Sequence, residues 1–319
     1  MALKKAKLLA AFLLSNALLC TALLGQAAAA AQYMDFPNDY SIGKIFILPK
    51  VWNVQANPLN AKYYAEAKGR VVVPPGATFA LTVNEVASER PEYLSHFLPG
   101  TLLSLNSGYI SINDNYLRAL SKLTYLQRLD LNETDLEDRH LVYLKEMKDM
   151  RNLSLNKTLL KGSGLGNLSA MKELRFLNLS GNNLLPGATK HLIHFEHIND
   201  LSISHALLTD SDLTEIAKIK SLTQLTCSFN NGITSSGVKQ LDALPNLTCL
   251  DVDETHVTID GILALKKHQF YIFSLPARFN NKKDLALIHK AFPKVTVGFS
   301  GRTKISPVEF FDPNNALGR

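Results

Sequence analysis

Two aspartates in one predicted strand are the first residues that could do chemistry. Asp251 and Asp253 are two positions apart in the run C-L-D-V-D-E, which places both carboxylates on one face of an extended chain, about 6.5 Å from each other. With Glu254 they could hold a hard cation such as calcium, or they could simply keep a surface solvated. A calcium site takes six or more oxygen ligands, and the neighbouring repeat adds only Thr226 and Ser228. We therefore predict no metal site here.

Three histidines in the run H-L-I-H-F-E-H raise the possibility of zinc. His191, His194 and His197 follow each other at three-residue steps, and each step turns a helix by about 300°, so the three rings diverge. Leu192 and Phe195 occupy the apolar positions of the same segment. We interpret the histidines as surface residues of a helix on the outer flank and predict no zinc site.

The two cysteines outside the N-terminal segment are candidates for a disulfide or a nucleophile. In the predicted strands, the side chain of Cys227 points into the core and that of Cys249 points out. A disulfide between them would require an exception to strand alternation, so we predict free thiols. A nucleophilic Cys249 would need a histidine within reach, and the nearest in register, His256, lies past the strand end. The chain also has no G-x-S-x-G, Walker or H-E-x-x-H motif. We predict that it is not an enzyme and has no cofactor.

A repeat of about 24 residues must position these side chains. Copies read L-Q-R-L-D-L-N-E-T-D-L, M-R-N-L-S-L-N-K-T-L-L and L-R-F-L-N-L-S-G-N-N-L. Their central apolar residues recur every 24 positions, at Leu129, Leu153, Leu177, Leu201 and Leu225. Leu250 follows after 25, and the later anchors are Phe273 and Val295, with shorter steps. A fixed period in the twenties with this L-x-x-L-x-L-x-x-[NT] pattern is typical of a leucine-rich repeat solenoid.

The second half of each repeat has a helical pattern. Thr209, Thr234 and Thr258 are placed to cap helices, and apolar residues then recur at three-residue steps. These segments resemble the T-x-[ILV]-T-D-x-G-[LI]-x-x-L form of leucine-rich repeats that is common in bacterial proteins and in ribonuclease-inhibitor-like solenoids, over residues 102–300. Pattern and resemblance together predict an α/β solenoid: a leucine-rich repeat horseshoe of about eight coils. Its parallel β-sheet would line the concave face and short helices the convex face.

Strand alternation then assigns residues to the concave face. Leu129 and Leu131 point inward, so the residues on either side of them point out. The rule yields a candidate binding set of short polar side chains and one exposed aromatic: Arg128, Asp130, Asn132, Asn152, Ser154, Phe176, Asn178, Asp200, Gln224, Asp251 and Asp253. Such a ladder could hydrogen-bond a polypeptide or a glycan, or it could be a solvated surface without a ligand.

Residues 1–31 have the composition of a signal peptide. Lys4, Lys5 and Lys7 precede an apolar stretch from Leu8 to Leu24, and small residues follow at 27–31. An uncleaved membrane anchor and a lipidated Cys20 are the alternatives. Cleavage would leave no stable membrane anchor, and 31 basic residues against 28 acidic ones. With no basic run remaining, we predict that nucleic acid is not a partner.

The remaining chain divides into three parts. Residues 32–100 lack the repeat and are predicted to form a β-rich N-terminal capping segment, with a strand at 45–48 and a hairpin across Pro74-Pro75-Gly76. Residues 101–300 hold the repeats, and residues 301–319 form a C-terminal cap or tail.

The predicted function is that of a non-enzymatic binding module, a monomer exported by a bacterium into the periplasm or medium. Sparse cysteine and an export signal favour this origin. A protein partner would bind the concave sheet. If that partner belongs to a host cell, the protein would resemble secreted virulence factors built on this repeat. The alternative is a structural periplasmic or envelope protein that binds cell-wall glycan.

Overall fold

The computed structural model describes residues 32–50 and 61–299. The predicted signal peptide, residues 1–31, and the predicted tail, residues 301–319, lie outside the described residues. Within the described ranges, the helices are all too short or too polar to cross a membrane.

A sheet of parallel strands is built from the repeated segment. Successive repeats each place the same three-residue stretch beside the one before, so Leu129 pairs with Leu105 and with Leu153, and the register continues unchanged to Leu250. The anchors are fully buried. The strands are β6 (Leu102–Asn106), β7 (Arg128–Asp130), β8 (Asn152–Ser154), β9 (Phe176–Asn178), β10 (Asp200–Ser202), β11 (Gln224–Thr226), β12 (Cys249–Asp251), β13 (Ile272–Leu275) and β14 (Thr296–Phe299).

The register of the last strand differs from the sequence prediction. Phe273 pairs with Val297, not with Val295, so the step there is again 24 residues. Val295 is buried in the turn that precedes β14, where its backbone N–H donates to the carbonyl of Phe292 at 3.1 Å. An apolar residue in a buried turn thus has the same sequence signature as a strand anchor.

The N-terminal segment extends the same sheet. Its strands are β1 (Gln32–Asp35), β2 (Gly43–Ile47), β3 (Lys62–Glu66), β4 (Arg70–Val73) and β5 (Phe79–Val83). Strand β5 pairs in parallel with β6 and antiparallel with β2, which pairs in turn with β3. The sheet edge of the first repeat is therefore covered by β5.

The hairpin prediction across Pro74-Pro75-Gly76 is wrong. Strand β4 pairs with β1 instead of β5, because both edges of β5 are already taken by β2 and β6. The turn itself has the predicted character, since Gly76 adopts a φ of 70° in the left-handed region. Turn chemistry is local, whereas the choice of strand partner is not.

Short helices form the other side of each repeat. The α-helices are α1 (Val86–Glu89), α2 (Asp114–Leu120), α3 (Asp210–Ile216), α4 (Ser235–Gln240), α5 (Ile259–Leu263) and α6 (Lys282–Ala291). Short 3₁₀ helices lie at Pro91–His96, Asp138–Leu144, Leu165–Leu168, Ala188–His194, Leu241–Ala243 and Ala277–Phe279. Thr209, Thr234 and Thr258 are the N-cap residues of α3, α4 and α5, as their spacing predicted. Thr234 Oγ1 accepts a hydrogen bond from the backbone N–H of Ser236 at 3.1 Å.

Buried asparagines join successive coils behind the sheet. Asn182 is fully buried, and its Nδ2 donates to the carbonyls of Leu155 at 2.7 Å and Leu179 at 2.9 Å. Its Oδ1 accepts from the backbone N–H and the hydroxyl of Thr158. Asn230 makes the equivalent bonds two coils later. These side chains satisfy carbonyls that a turning chain leaves unpaired inside the solenoid.

Candidate functional site

The concave face consists of two rows of side chains that run across the strands. The first row is Arg128, Asn152, Phe176, Asp200, Gln224 and Cys249, and the second is Asp130, Ser154, Asn178, Ser202, Thr226 and Asp251. Members of a row sit on neighbouring strands, about 4.8 Å apart. Alternation thus placed the strand residues of the candidate binding set on one face, as predicted, and left Asn132 and Asp253 in the turns that follow.

Exposure is the part of the prediction that is wrong. Phe176, expected to be an exposed aromatic, is 2% exposed. Arg128, Asp130, Asn152, Ser154, Asp200 and Asp253 are also buried, whereas Asn132, Asn178, Gln224 and Asp251 are half-buried. Alternation determines which face a side chain lies on. It does not determine exposure, because each side chain is flanked by its counterparts on two neighbouring strands.

Several members of the set are occupied in bonds that hold the loops after the strands. Asn132 Oδ1 accepts from Ser154 Oγ at 2.6 Å and from the backbone N–H of Asn156 at 2.8 Å. The side chains of Asp130, Asn178 and Asp251 each accept from a backbone N–H two residues further on. Asp253 Oδ1 accepts from the N–H of Glu254. These side chains act first as turn caps.

The side-chain amide of Asn152 and the hydroxyl of Ser202 are buried in these rows without a hydrogen-bond partner. Neither amide atom of Asn152 has a hydrogen-bond partner, although the residue is fully buried. The hydroxyl of Ser202, which is 2% exposed, has none either. A buried polar group without a partner costs about 1–3 kcal/mol, and native proteins contain few.

The carboxylates of this face are electrostatically perturbed. Burial raises the pKa of Asp200 to about 7. Burial also raises the pKa of Asp130 to about 7, although the N–H of Asn132 and the charge of Arg128 oppose the shift. The pKa of Asp251 is raised, again chiefly by burial. Of the described residues, none forms an ion pair with Asp200. The face therefore holds carboxyl groups whose ionised form is poorly compensated.

The cysteines and histidines lie where the sequence placed them. Cys227 is buried, Cys249 is half-buried in the first row, and both thiols are free. His194 and His197 are exposed and His191 is half-buried. The described residues include no group of three or more histidine, cysteine or carboxylate side chains arranged to hold a metal ion.

Sequence reasoning missed a ridge of residues with left-handed backbones just past the strand ends. One position per coil, three residues after each strand, adopts a left-handed backbone: Tyr109, Glu133, Lys157, Gly181, His205, Phe229 and, after β12, Glu254. We call this the αL ridge. The ring of His205 stacks on that of Phe229 at a centroid distance of 4.4 Å, and Lys157 Nζ lies 2.8 Å from Glu133 Oε1. Gly181 was the sequence signal for this left-handed backbone, because the repeat aligns the other six positions with that glycine.

The parallel sheet, its unchanged register and the 24-residue repeat define a solenoid of the leucine-rich repeat class. No family model matches the chain, and no curated protein is similar to it. Among solved structures, an internalin C2 (inlC2) from Listeria monocytogenes is similar at 20% identity and a TM-score of 0.47, covering 69% of this chain and 80% of that one. An internalin (inlF) from the same species is similar at 20% identity and a TM-score of 0.49, covering 68% of this chain and 60% of that one.

Proposed function

We propose that this protein is a non-enzymatic binding module of an exported bacterial protein, and that its concave sheet engages a protein partner. The observation that carries the proposal is the polar character of this face: Asn178, Gln224 and Asp251 are only half-buried, and the carboxyl of Asp200 forms no ion pair with any described residue.

A rigid sheet suits such a role. Each side chain of the two rows is held by the register of its strand, so little conformational entropy is lost when a partner binds. The proposed export follows from the composition of residues 1–31. The proposal of a host-cell partner follows from the resemblance to bacterial leucine-rich repeats. We propose a monomer that uses no nucleic acid, cofactor or retained membrane anchor.

Affinity capture with three forms of the full chain tests the proposal. The wild type is compared with the concave variant Gln224→Ala/Asp200→Asn, whose two positions are neighbours in the first row, and with the convex control Lys218→Gln. Lys218 lies just after α3, where it pairs with Glu215 at 2.6 Å, an exposed pair of little energetic weight. Proteins recovered from host-cell and bacterial extracts are identified by mass spectrometry. We expect a protein that the wild type and the control retain and that the concave variant loses.

Two outcomes would contradict the proposal. Capture that all three forms share would place the binding surface elsewhere. Recovery of cell-wall fragments alone, with the chain retained on purified peptidoglycan during fractionation, would favour the structural envelope protein.

A further inference from the structure

A cavity lies where the N-terminal capping segment meets the first repeat. Its volume is about 320 Å³, at the lower end of the roughly 300–1,000 Å³ of pockets that hold small ligands. One wall is the chain from the end of the 3₁₀ helix Pro91–His96 to the start of β6, and the other is the turn between α2 and β7. Among the described residues that line the cavity, Lys122 is the one charged side chain, and most of the others are apolar: Phe97, Leu98, Pro99, Leu102, Leu123 and Tyr125.

Leu123 is more exposed than the residues that occupy its position in later coils. Its equivalents at 24-residue steps are all buried: Met147, Met171, Phe195 and Ile219. Leu123 itself is half-buried and lines the cavity, because the segment that precedes its coil does not follow the repeat. An apolar position that the repeat normally buries is therefore accessible to a ligand here.

Tyr125 also departs from the repeat. Its ring is 52% exposed, whereas the equivalent positions of the next five coils hold polar residues: Asp149, Glu173, His197, Ser221 and Asn246. An exposed aromatic ring at this position is thus specific to the coil that borders the cavity. It extends the apolar wall that Leu123 begins.

Lys122 lacks the ionic partner that its counterpart has. Lys218 occupies the same position four coils later, and its ammonium lies 2.6 Å from a carboxylate oxygen of Glu215. In the first coil, Ala119 stands at the position of Glu215. Lys122 forms no ion pair with any described residue. The cavity therefore combines apolar walls with one cation that no described carboxylate balances.

We propose that this cavity binds a free amphipathic carboxylate, with its apolar chain against Leu123 and Tyr125 and its carboxylate beside the ammonium of Lys122. Charge complementarity selects an anion, and apolar walls favour a ligand whose polar atoms all lie at one end. An extended peptide fits less well, because its backbone N–H and C=O groups would lose their hydrogen bonds to water against these walls. The cavity is separate from the concave sheet, so this inference does not depend on the proposed function.

Isothermal titration calorimetry of the full chain with octanoate tests the inference. Octanol and octyltrimethylammonium carry the same apolar chain with a neutral and a cationic head, and hexanoate is a shorter acid. The peptide acetyl-Gly-Leu-Leu, which has a free C-terminus, represents a protein terminus as the competing occupant. Each ligand is titrated into the wild type, Lys122→Gln, Tyr125→Asp and the control Lys218→Gln.

The two cavity variants should fold. Both change exposed residues, and Tyr125→Asp introduces the residue type that the next coil has at this position, in Asp149. Their melting temperatures should therefore stay close to that of the wild type, which separates lost binding from misfolding.

We expect octanoate to bind the wild type saturably below about 1 mM. Hexanoate should bind about tenfold more weakly, because each buried CH₂ group tightens binding about fourfold. Octanol should bind about threefold more weakly than octanoate, and octyltrimethylammonium more weakly still. Lys122→Gln should lower the affinity for octanoate to that for octanol and leave octanol unaffected. Tyr125→Asp should weaken both by about fivefold or more, and Lys218→Gln should bind like the wild type.

Other results would overturn the inference. These are the absence of saturable octanoate binding up to about 1 mM, equal affinities for the anionic, neutral and cationic chains, and equal affinities for octanoate and hexanoate. An affinity for octanoate that neither Lys122→Gln nor Tyr125→Asp changes, or a loss that Lys218→Gln shares, would place binding elsewhere and overturn it too. Tighter binding of acetyl-Gly-Leu-Leu than of octanoate would overturn the assignment to a free carboxylate and identify a protein terminus as the occupant.

Discussion

Asn152 and Asp200 lie in the same row across the concave sheet. Strand β9 lies between their strands, and both residues pair in register with Phe176 of that strand. Both are buried; the amide of Asn152 makes no hydrogen bond, and Asp200 forms no ion pair with any described residue. Asp130, Asn178 and Asp251 cap turns, and Ser154 bonds to Asn132 of the preceding coil. Residues that stabilise the solenoid are therefore distinct from residues whose burial costs free energy of folding.

Replacing Asn152 by leucine should stabilise the free protein. The substitution removes a buried amide that makes no hydrogen bond and fills its space with apolar atoms, so we expect the free energy of unfolding to rise by about 1 kcal/mol. Urea denaturation followed by circular dichroism measures the change. Asn182→Leu is the matched control and should cost about 3 kcal/mol or more, because five hydrogen bonds are lost. Equal effects of the two substitutions would contradict the distinction.

Asp200 should make stability depend on pH. Because its pKa is about 7 in the folded chain and 3.8 ordinarily, the folded chain binds more protons than the unfolded chain between pH 4 and 7. The contribution of Asp200 to the free energy of unfolding therefore falls as pH rises through that range. Asp200→Asn lacks this loss. Its free energy of unfolding relative to that of the wild type should therefore be higher at pH 8 than at pH 4 by about 1 kcal/mol or more. Urea denaturation at both pH values tests this, and a pH-independent difference would contradict it.

The close approach of neighbouring coils should leave no room for a side chain at Gly164. A Cβ there would lie 2.3 Å from the carbonyl oxygen of Asp138 in the preceding coil, so we expect Gly164→Ala to cost about 1–3 kcal/mol of unfolding free energy. In the same turn, a Cβ at Gly166 would first meet His191 Nδ1 at 3.4 Å. Gly166→Ala should therefore change stability by about 0.5 kcal/mol or less. Thermal denaturation of both variants makes the comparison, and similar melting temperatures would count against this packing.

Alkylation should distinguish the two cysteines of the sheet. Burial raises the pKa of both thiols, but Cys249 is half-buried whereas Cys227 is fully buried. We expect iodoacetamide to label Cys249 slowly in the native protein and Cys227 only after unfolding in guanidinium. Peptide mapping by mass spectrometry reads the labelling at each position. A peptide containing Cys227 joined to Cys249 by a disulfide would contradict the assignment of free thiols.

The sequence predicted features that repeat and missed those that depend on tertiary context. Leu201 and Leu225 predict which side of the strands is buried, because burial at a fixed period leaves a periodic apolar pattern in the sequence. The burial of Phe176 leaves no such pattern, since it depends on how neighbouring coils crowd the concave side. The pairing of β4 with β1 is likewise non-local. The left-handed backbone at His205 and Phe229 is one that these residue types rarely adopt. Among the aligned positions, Gly181 is the one whose residue type indicates it.

Site-specific photo-crosslinking tests the central claim most directly. A benzoylphenylalanine is placed at Gln224, which is half-buried in the first concave row, or at Lys218, which is exposed on the opposite, helical side. The producing cells, alone or with host cells, are irradiated, and adducts are identified by immunoblotting and mass spectrometry. We predict a protein adduct from position 224 and none from position 218. Adducts from position 218 alone would contradict the assignment of the concave sheet as the binding surface.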